Sequence, residues 1–465
     1  MAVPEQIRGV ERPVDGRTVG HIIDGVFVPR GQKAKPRPSS KAQAPQVAEV
    51  IGWARPTLAW QEAEGLFDDL CALFDTADVT EIVSIACLRV LRTGIRDAEL
   101  ADAYVREGLM DRLPGARLSK GEVPKFLMAL GRARGRIVTF MRTRISRVSD
   151  NHVIALGFTN RKDVPKTGGL AGHSWKTQAE EPDDTHVLYA YDIGSRLPLC
   201  SEAWEDDDID ASVLAGFADF HGIRNCLIIG ECASSTNTTE EADDTQPTLH
   251  WLNRLGRDDE RIEYFDLYGY EGILDVSHQD VKYKKVRTQA GEGTRWLYSF
   301  YDRAKAEREE RDWFGAMRGT APYDKAYADA CARGFGTLIL ESDLDMDPEV
   351  AWRAYDERPL VENILTHCGQ GAEAAGEDTY DLDLTVGNEF VNLIASVICA
   401  RIVNRFEATG LLDAYAYAEL MDALKSCEVV RLGEGDPWVK ASTEQSVDAI
   451  IEALGLEPSS PVSGC

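Results

Sequence analysis

Tyr355, Arg358 and Glu362 are the residues of this 465-residue chain whose types and spacing best suit chemistry. Intervals of three and four place a phenol, a guanidinium and a carboxylate on one face of an expected helix. An Arg fork matches phosphate oxygens, and a carboxylate can share a hard divalent cation with that phosphate. Spacing by itself favours a plainer reading, the exposed ion pair of a surface helix. The context is a strand-like run, Gly336 to Glu341, feeding the helix that bears the triplet.

The elements that must position this helix read as an α/β domain. Apolar runs at 152–157, 186–191, 197–204 and 225–230 predict strands, with a helical stretch at 211–221 before the last of them. Further strands are expected at 284–287 and 295–300, and a charged helix from Arg303 to about Phe314. Three strands, a helix, a buried strand, an inserted β segment and a carboxylate-bearing helix make a mixed sheet. At the end of the chain, Phe390, Leu393, Ile394, Val397, Ile398, Ile402 and Phe406 form an apolar stripe, expected to pack a core.

Before the sheet, Leu66, Leu70, Leu73, Phe74, Ile82, Ile85, Leu88 and Leu91 recur at helical intervals. Ser119 with Glu122 has the form of a capping box, and Arg132, Arg134, Arg136, Arg142, Arg144 and Arg147 follow it. A short helix leading into a basic helix could sit on a duplex like a helix-turn-helix relative. The plainer reading is a solvated basic helix. The domain expectation is therefore a basic extended or flexible segment (1–56), a helical, possible DNA-binding domain (57–147), the α/β domain (148–370) with a β insertion at about 240–300, and a helical C-terminal region (371–465).

Composition limits the function classes. The net charge is −27, the wrong sign for nucleic acid as a whole. The charge is uneven: residues 117–147 hold nine Lys or Arg against one acid, whereas 341–389 hold fourteen acids against two Arg, so local DNA contact stays open. No run of 18 apolar residues and no secretory leader is evident, which predicts a cytoplasmic protein with no membrane span. The ten Cys include no CxxC pair, which disfavours a structural zinc site. Walker A, GxGxxG and HExxH motifs are absent, and Gly168, Gly169, His173 and Lys176 read only as a loop.

The order of elements resembles the DDE transposases of bacterial insertion sequences, specifically the insertion-sequence-four group. That group carries Tyr, Arg, Glu and Lys separated by two, three and six residues on the last catalytic helix; Tyr355, Arg358 and Glu362 match the first three. Supporting stretches are 189–193, 209–212, 298–303 and 335–343, and the resemblance spans roughly residues 60–425. It implies an RNase H-like mixed sheet with a β insertion, flanked by helical N-terminal and C-terminal regions. It also implies Mg²⁺ or Mn²⁺ held by two Asp and one Glu, DNA transposition by in-line attack on a phosphodiester, transposon ends as partner DNA, and a homodimer during strand transfer.

Against that pattern the chain places Leu156 where the first carboxylate is expected and Gly230 where the second is; neither can ligate a metal. Glu231 adjoins Gly230 and substitutes only if the strand end bends. Asp150, Asp163, Asp192 and Asp210 flank strands as weaker surrogates. Gly369 replaces the Lys, and Pro359 falls between Arg358 and Glu362, where a helix interior would be broken. The expectation is an impaired transposase-family protein. The alternatives are a DNA-binding regulator or non-cutting subunit, and an active enzyme rearranged around Glu231 and Glu362.

Overall fold

The computed structural model describes residues 3–7, 10–14, 20–23, 26–29, 49–149, 152–161, 185–204, 209–230, 247–276, 279–290, 293–317, 332–368, 382–431 and 438–457. Two units are distinguished, residues 1–49 with 431–437 and the remainder. In the first, β1 (Val3–Ile7) pairs antiparallel with β2 (Val10–Val14), and β3 (Gly20–Ile23) with β4 (Val26–Pro29). Within the expected extended segment, residues 3–14 and 20–29 thus pair as hairpins, their Val and Ile favouring strands despite the prolines among them; the Pro-rich basic stretch that follows, residues 30–48, lies outside the described residues.

In the second unit, β5 (Glu49–Gly52) leads into α1 (Ala54–Cys71), α2 (Thr76–Leu91), α3 (Leu100–Arg106), α4 (Val123–Arg132) and α5 (Arg134–Ile145). The expected capping box is not made: α4 starts at Val123 with Glu122 as its N-cap residue, and no side chain bonds there. Ser119 contributes its carbonyl to the Glu122 and Val123 amides instead.

The sheet begins with β6 (Ile154–Arg161), β7 (Thr185–Asp192) and β8 (Leu197–Trp204), then α6 (Ala211–His221), β9 (Asn225–Ile229) and β10 (Thr248–Arg254). The turn-like helix α7 (Arg261–Tyr264) precedes β11 (Gly272–Val276), β12 (Gln279–Ala290) and β13 (Gly293–Asp302). The helix α8 (Arg303–Met317) and the strand β14 (Thr337–Ser342) follow. Nine strands form one sheet in the order β11-β12-β13-β14-β10-β9-β6-β7-β8. β6, β7 and β8 are antiparallel neighbours, while β9 runs parallel to β6 and β10 parallel to β9. That five-strand unit, third-second-first-fourth-fifth in chain order, is the RNase H-like arrangement; β11 to β14 extend it beyond β10 through the antiparallel β10–β14 pair.

The chain continues through α9 (Pro348–Asp356), α10 (Arg358–Cys368), α11 (Leu382–Ala408), α12 (Tyr417–Lys425), β15 (Glu428–Arg431), β16 (Val439–Lys440) and α13 (Gln445–Ala453). Alternation along each strand sends side chains into two cores. Leu156, Leu188, Ala190 and Ile228 join α1, α2, α4 and α11 in the larger one. Ala155, Tyr189, Tyr191, Leu227 and Ile229 pack beneath α9 and α10 in the other.

Every member of the expected C-terminal stripe is buried on α11. This helix is apolar enough to cross a membrane, with a mean hydropathy of 1.5 over its most apolar 18 residues, but 89% of that window is buried within the protein. It also carries Asn388, Glu389 and Asn392 into the core, where Arg89 of α2 donates to Asn388 Oδ1 (2.7 Å) and Asn392 Oδ1 (2.5 Å). Ser201 of β8 donates to Glu389 (2.8 Å). Lipid would leave those groups unpaired, so α11 is the core helix of the helical lobe.

Candidate functional site

The expected single helix bearing the triplet is two helices. α9 ends at Asp356, Glu357 links it to the next, and α10 starts at Arg358. Pro359 is therefore in the first turn of a new helix, where its missing N–H costs nothing. Tyr355 lies on the last turn of α9, half-buried against the second core, and is separated from Arg358 by the junction. Arg358 and Glu362 share the first turns of α10 and meet directly: Arg358 Nε donates to Glu362 Oε1 at 2.7 Å.

The third member of the cluster is Tyr189 of β7, which enters the sequence pattern only as part of a supporting stretch. Its hydroxyl donates to the same oxygen, Glu362 Oε1, at 2.9 Å. Burial, reinforced by the Glu362 charge, raises the Tyr189 pKa well above its ordinary value, so the phenol stays a donor. The other arm of the arginine, Nη1, donates to the Ile229 carbonyl at the end of β9 (2.6 Å). One carboxylate oxygen thus receives two donors, and the guanidinium ties α10 to the strand end.

Both donors lie where the sheet offers no side chain. Gly230 has φ +111°, and a Cβ there would stand 2.6 Å from Arg358 Nη1. Gly157 of β6 is opposite Tyr189 in the ladder, and a Cβ there would meet the phenol oxygen at 2.5 Å. Leu156, expected at the first ligand position, faces the larger core on the opposite side of the sheet from Glu362. Because one residue of register inverts the face, the position beside Tyr189 is Gly157. Gly230 sits at the expected strand end, beneath the arginine.

The described residues do not fit a divalent cation at this point. Mg²⁺ and Mn²⁺ require several oxygen acceptors, and the two side chains that meet Glu362 Oε1, a guanidinium and a phenol, are both donors. Among the described residues no three His, Cys, Asp or Glu side chains are grouped to hold a metal. Glu231, Asp150, Asp163, Gly369 and the 168–176 loop lie outside the described residues. Asp192 is buried at the end of β7, accepting from Gly194 N, Ser195 N and Ser195 Oγ of the turn that follows and facing His152. Asp210 caps α6, accepting from Ser212 N and Val213 N. Both acids have structural work on their own backbone.

The six arginines divide. Arg144 is buried and donates to the Pro198 carbonyl at 2.7 Å, so it belongs to the core. The other five are exposed. Arg132 pairs with Asp383 (3.0 Å), Arg147 with Asp69 (2.6 Å), Arg142 Nε donates to the Phe220 carbonyl (3.0 Å), and Arg136 lies 6.0 Å over the Phe74 ring. Arg134 rims a cavity between α5, β8 and α11.

No protein-family model and no curated protein sequence matches the chain. Among solved structures, a cryo-EM structure of piggyBac transposase in a synaptic complex with hairpin DNA aligns over 80% of this chain and 79% of its own, at 9% identity and a TM-score of 0.33. The RNase H-like assignment rests on the strand order and not on that likeness.

Proposed function

We propose that the chain is a transposase-class protein whose RNase H-like domain no longer cuts DNA. The carrying observation is the cluster at Glu362: Arg358 and Tyr189 occupy the space above Gly230 and Gly157 and both donate to Oε1 of the one carboxylate that the triplet supplies. A metal-dependent strand transferase needs acceptor oxygens there, and the cluster offers a fixed cation in their place.

Nicking of supercoiled plasmid carrying the gene's flanking DNA, with Mg²⁺ or Mn²⁺, tests the reading. Wild type and Glu362→Ala are expected to be equally inactive. Cleavage that disappears in Glu362→Ala would sink the proposal and favour the arrangement built on Glu231 and Glu362.

A second reading, DNA binding without cutting, draws support from one observation. Arg132, Arg134, Arg136, Arg142 and Arg147 remain exposed on α4, α5 and the residues just after it in an otherwise acidic chain. Their protein partners are surface contacts of little energy, which phosphates could displace.

A further inference from the structure

Away from the Glu362 cluster, an open groove of about 460 Å³ runs between Glu62 of α1, the β7–β8 turn at Gly194 to Leu197, and Arg401 and Asn404 of α11. Its charges do not balance. Glu62 accepts from Arg405 (2.8 Å), Arg196 pairs with Glu407, and nearby Asp69 pairs with Arg147. Each of these acids is already matched to a cation. Arg401 is half-buried and its guanidinium donates to a backbone carbonyl, that of Glu62 (2.8 Å). No ion pair engages Arg401 among the described residues.

Arg144 lies behind the same wall, nine-tenths buried, with Nη2 on the Pro198 carbonyl and Nε without a partner. Burial and then the charge of Arg401 push its pKa down to about 10. Burial likewise lowers that of Arg401. Glu62 and Asp69 attract Arg401 in turn, but both are paired with other cations, so two partly desolvated guanidinium groups share this region without an anion of their own.

We infer that this groove binds a phosphate-type oxyanion, held by Arg401 with Arg144 adding its charge from behind. The guanidinium fork matches tetrahedral oxygens two at a time, and the open mouth admits either free phosphate or a phosphodiester of DNA. The site is separate from the exposed arginines of α4 and α5, Arg132, Arg134, Arg136 and Arg142, and it does not require the transposase reading.

Thermal unfolding of the full chain in sodium phosphate and in sodium chloride, at matched ionic strength and pH 7.5, provides the test. Phosphate is expected to raise Tm by about 2 °C, and Arg401→Gln to abolish the rise. ³¹P line broadening of inorganic phosphate by the wild type gives a second readout that needs no variant, should Arg401→Gln not fold. A DNA duplex added to that sample separates the sources. A sharpened ³¹P line means that backbone phosphodiesters take the groove; an unchanged line means that it takes free phosphate. Absence of broadening, or an equal thermal shift in wild type and Arg401→Gln, would overturn the inference.

Discussion

Two glycines and the side chains above them define the chemistry of the Glu362 cluster. Tyr189 is fully buried, so its ring cannot swing aside to admit a methyl group at Gly157. Gly157→Ala is therefore expected to destabilise the fold by about 1–3 kcal/mol through overpacking. Tyr189→Phe keeps the ring and removes the donor to Glu362, at a cost of about 1–2 kcal/mol for a hydrogen bond to a charged group that is a quarter exposed. Urea unfolding of both variants checks the pair. A neutral Gly157→Ala would mean that Tyr189 is not seated over the strand as described. The sequence allowed Arg358 and Glu362 to be paired from their spacing, since α10 starts in time to carry both. It could not reveal Tyr189, whose contact with Glu362 spans 173 positions. Nor could it decide between Leu156 and Gly157, where a single step of register exchanges the two faces.

At the scale of elements, the junction of α9 and α10 is where a local rule was informative. Pro359 has no N–H to offer the Tyr355 carbonyl, and its ring would clash with that carbonyl in a continuous helix; the structure answers by ending one helix at Asp356 and starting another at Arg358. Glu357, the linking residue, pays for this position with desolvation. Burial pushes its carboxyl up to about 7 from an ordinary 4.5, against the attraction of Arg196 and Arg353 and with the repulsion of Glu407 and Asp356. Its Oε2 has no hydrogen-bond partner among the described residues, and Arg196 stands 3.9 Å away, already engaged by Glu407. A carboxyl whose folded pKa is raised stabilises the fold fully below pH 4.5, where both states hold the proton in any case, and that contribution is lost as pH rises towards 7. The loss is on the order of 3 kcal/mol at most. Glu357→Gln imitates the protonated form. It is expected to match wild type near pH 4.5 and to exceed its stability above pH 7, as followed by denaturant midpoints across that range. Parallel curves for the two proteins would show that Glu357 does not titrate there. The strands were the legible elements, because β6 to β9 are short apolar runs with turn residues on both sides. The hairpins of residues 3–29 were not, since their strands are only four or five residues long and prolines and charged residues interrupt the Val and Ile pattern.

For the whole molecule the question is how a chain of net charge −27 could meet DNA. Counterion release depends on cations at the contact surface and not on the global sum, so the disposition of residues 132–147 decides it. Their sequence reads as one basic run, but the fold sorts them by solvent access. Arg144 is in the core under the β8 strand, and Arg144→Gln is expected to weaken folding and not binding selectively. Arg134 and Arg136 sit on the exposed side of α5 and form no ion pair among the described residues. If α5 lies along a duplex, the double variant Arg134→Gln/Arg136→Gln should lower the slope of log affinity against log salt by about two, one for each phosphate contact removed. The melting temperature should remain that of the wild type, since exposed changes of this kind rarely move stability by more than about 0.5 kcal/mol. Fluorescence anisotropy of a labelled duplex between low and physiological salt measures the slope directly. A wild type without salt-dependent affinity would remove DNA binding from the functions of α5. An unchanged slope in the variant would move the contact elsewhere on the surface, to be sought first at the Arg401 groove.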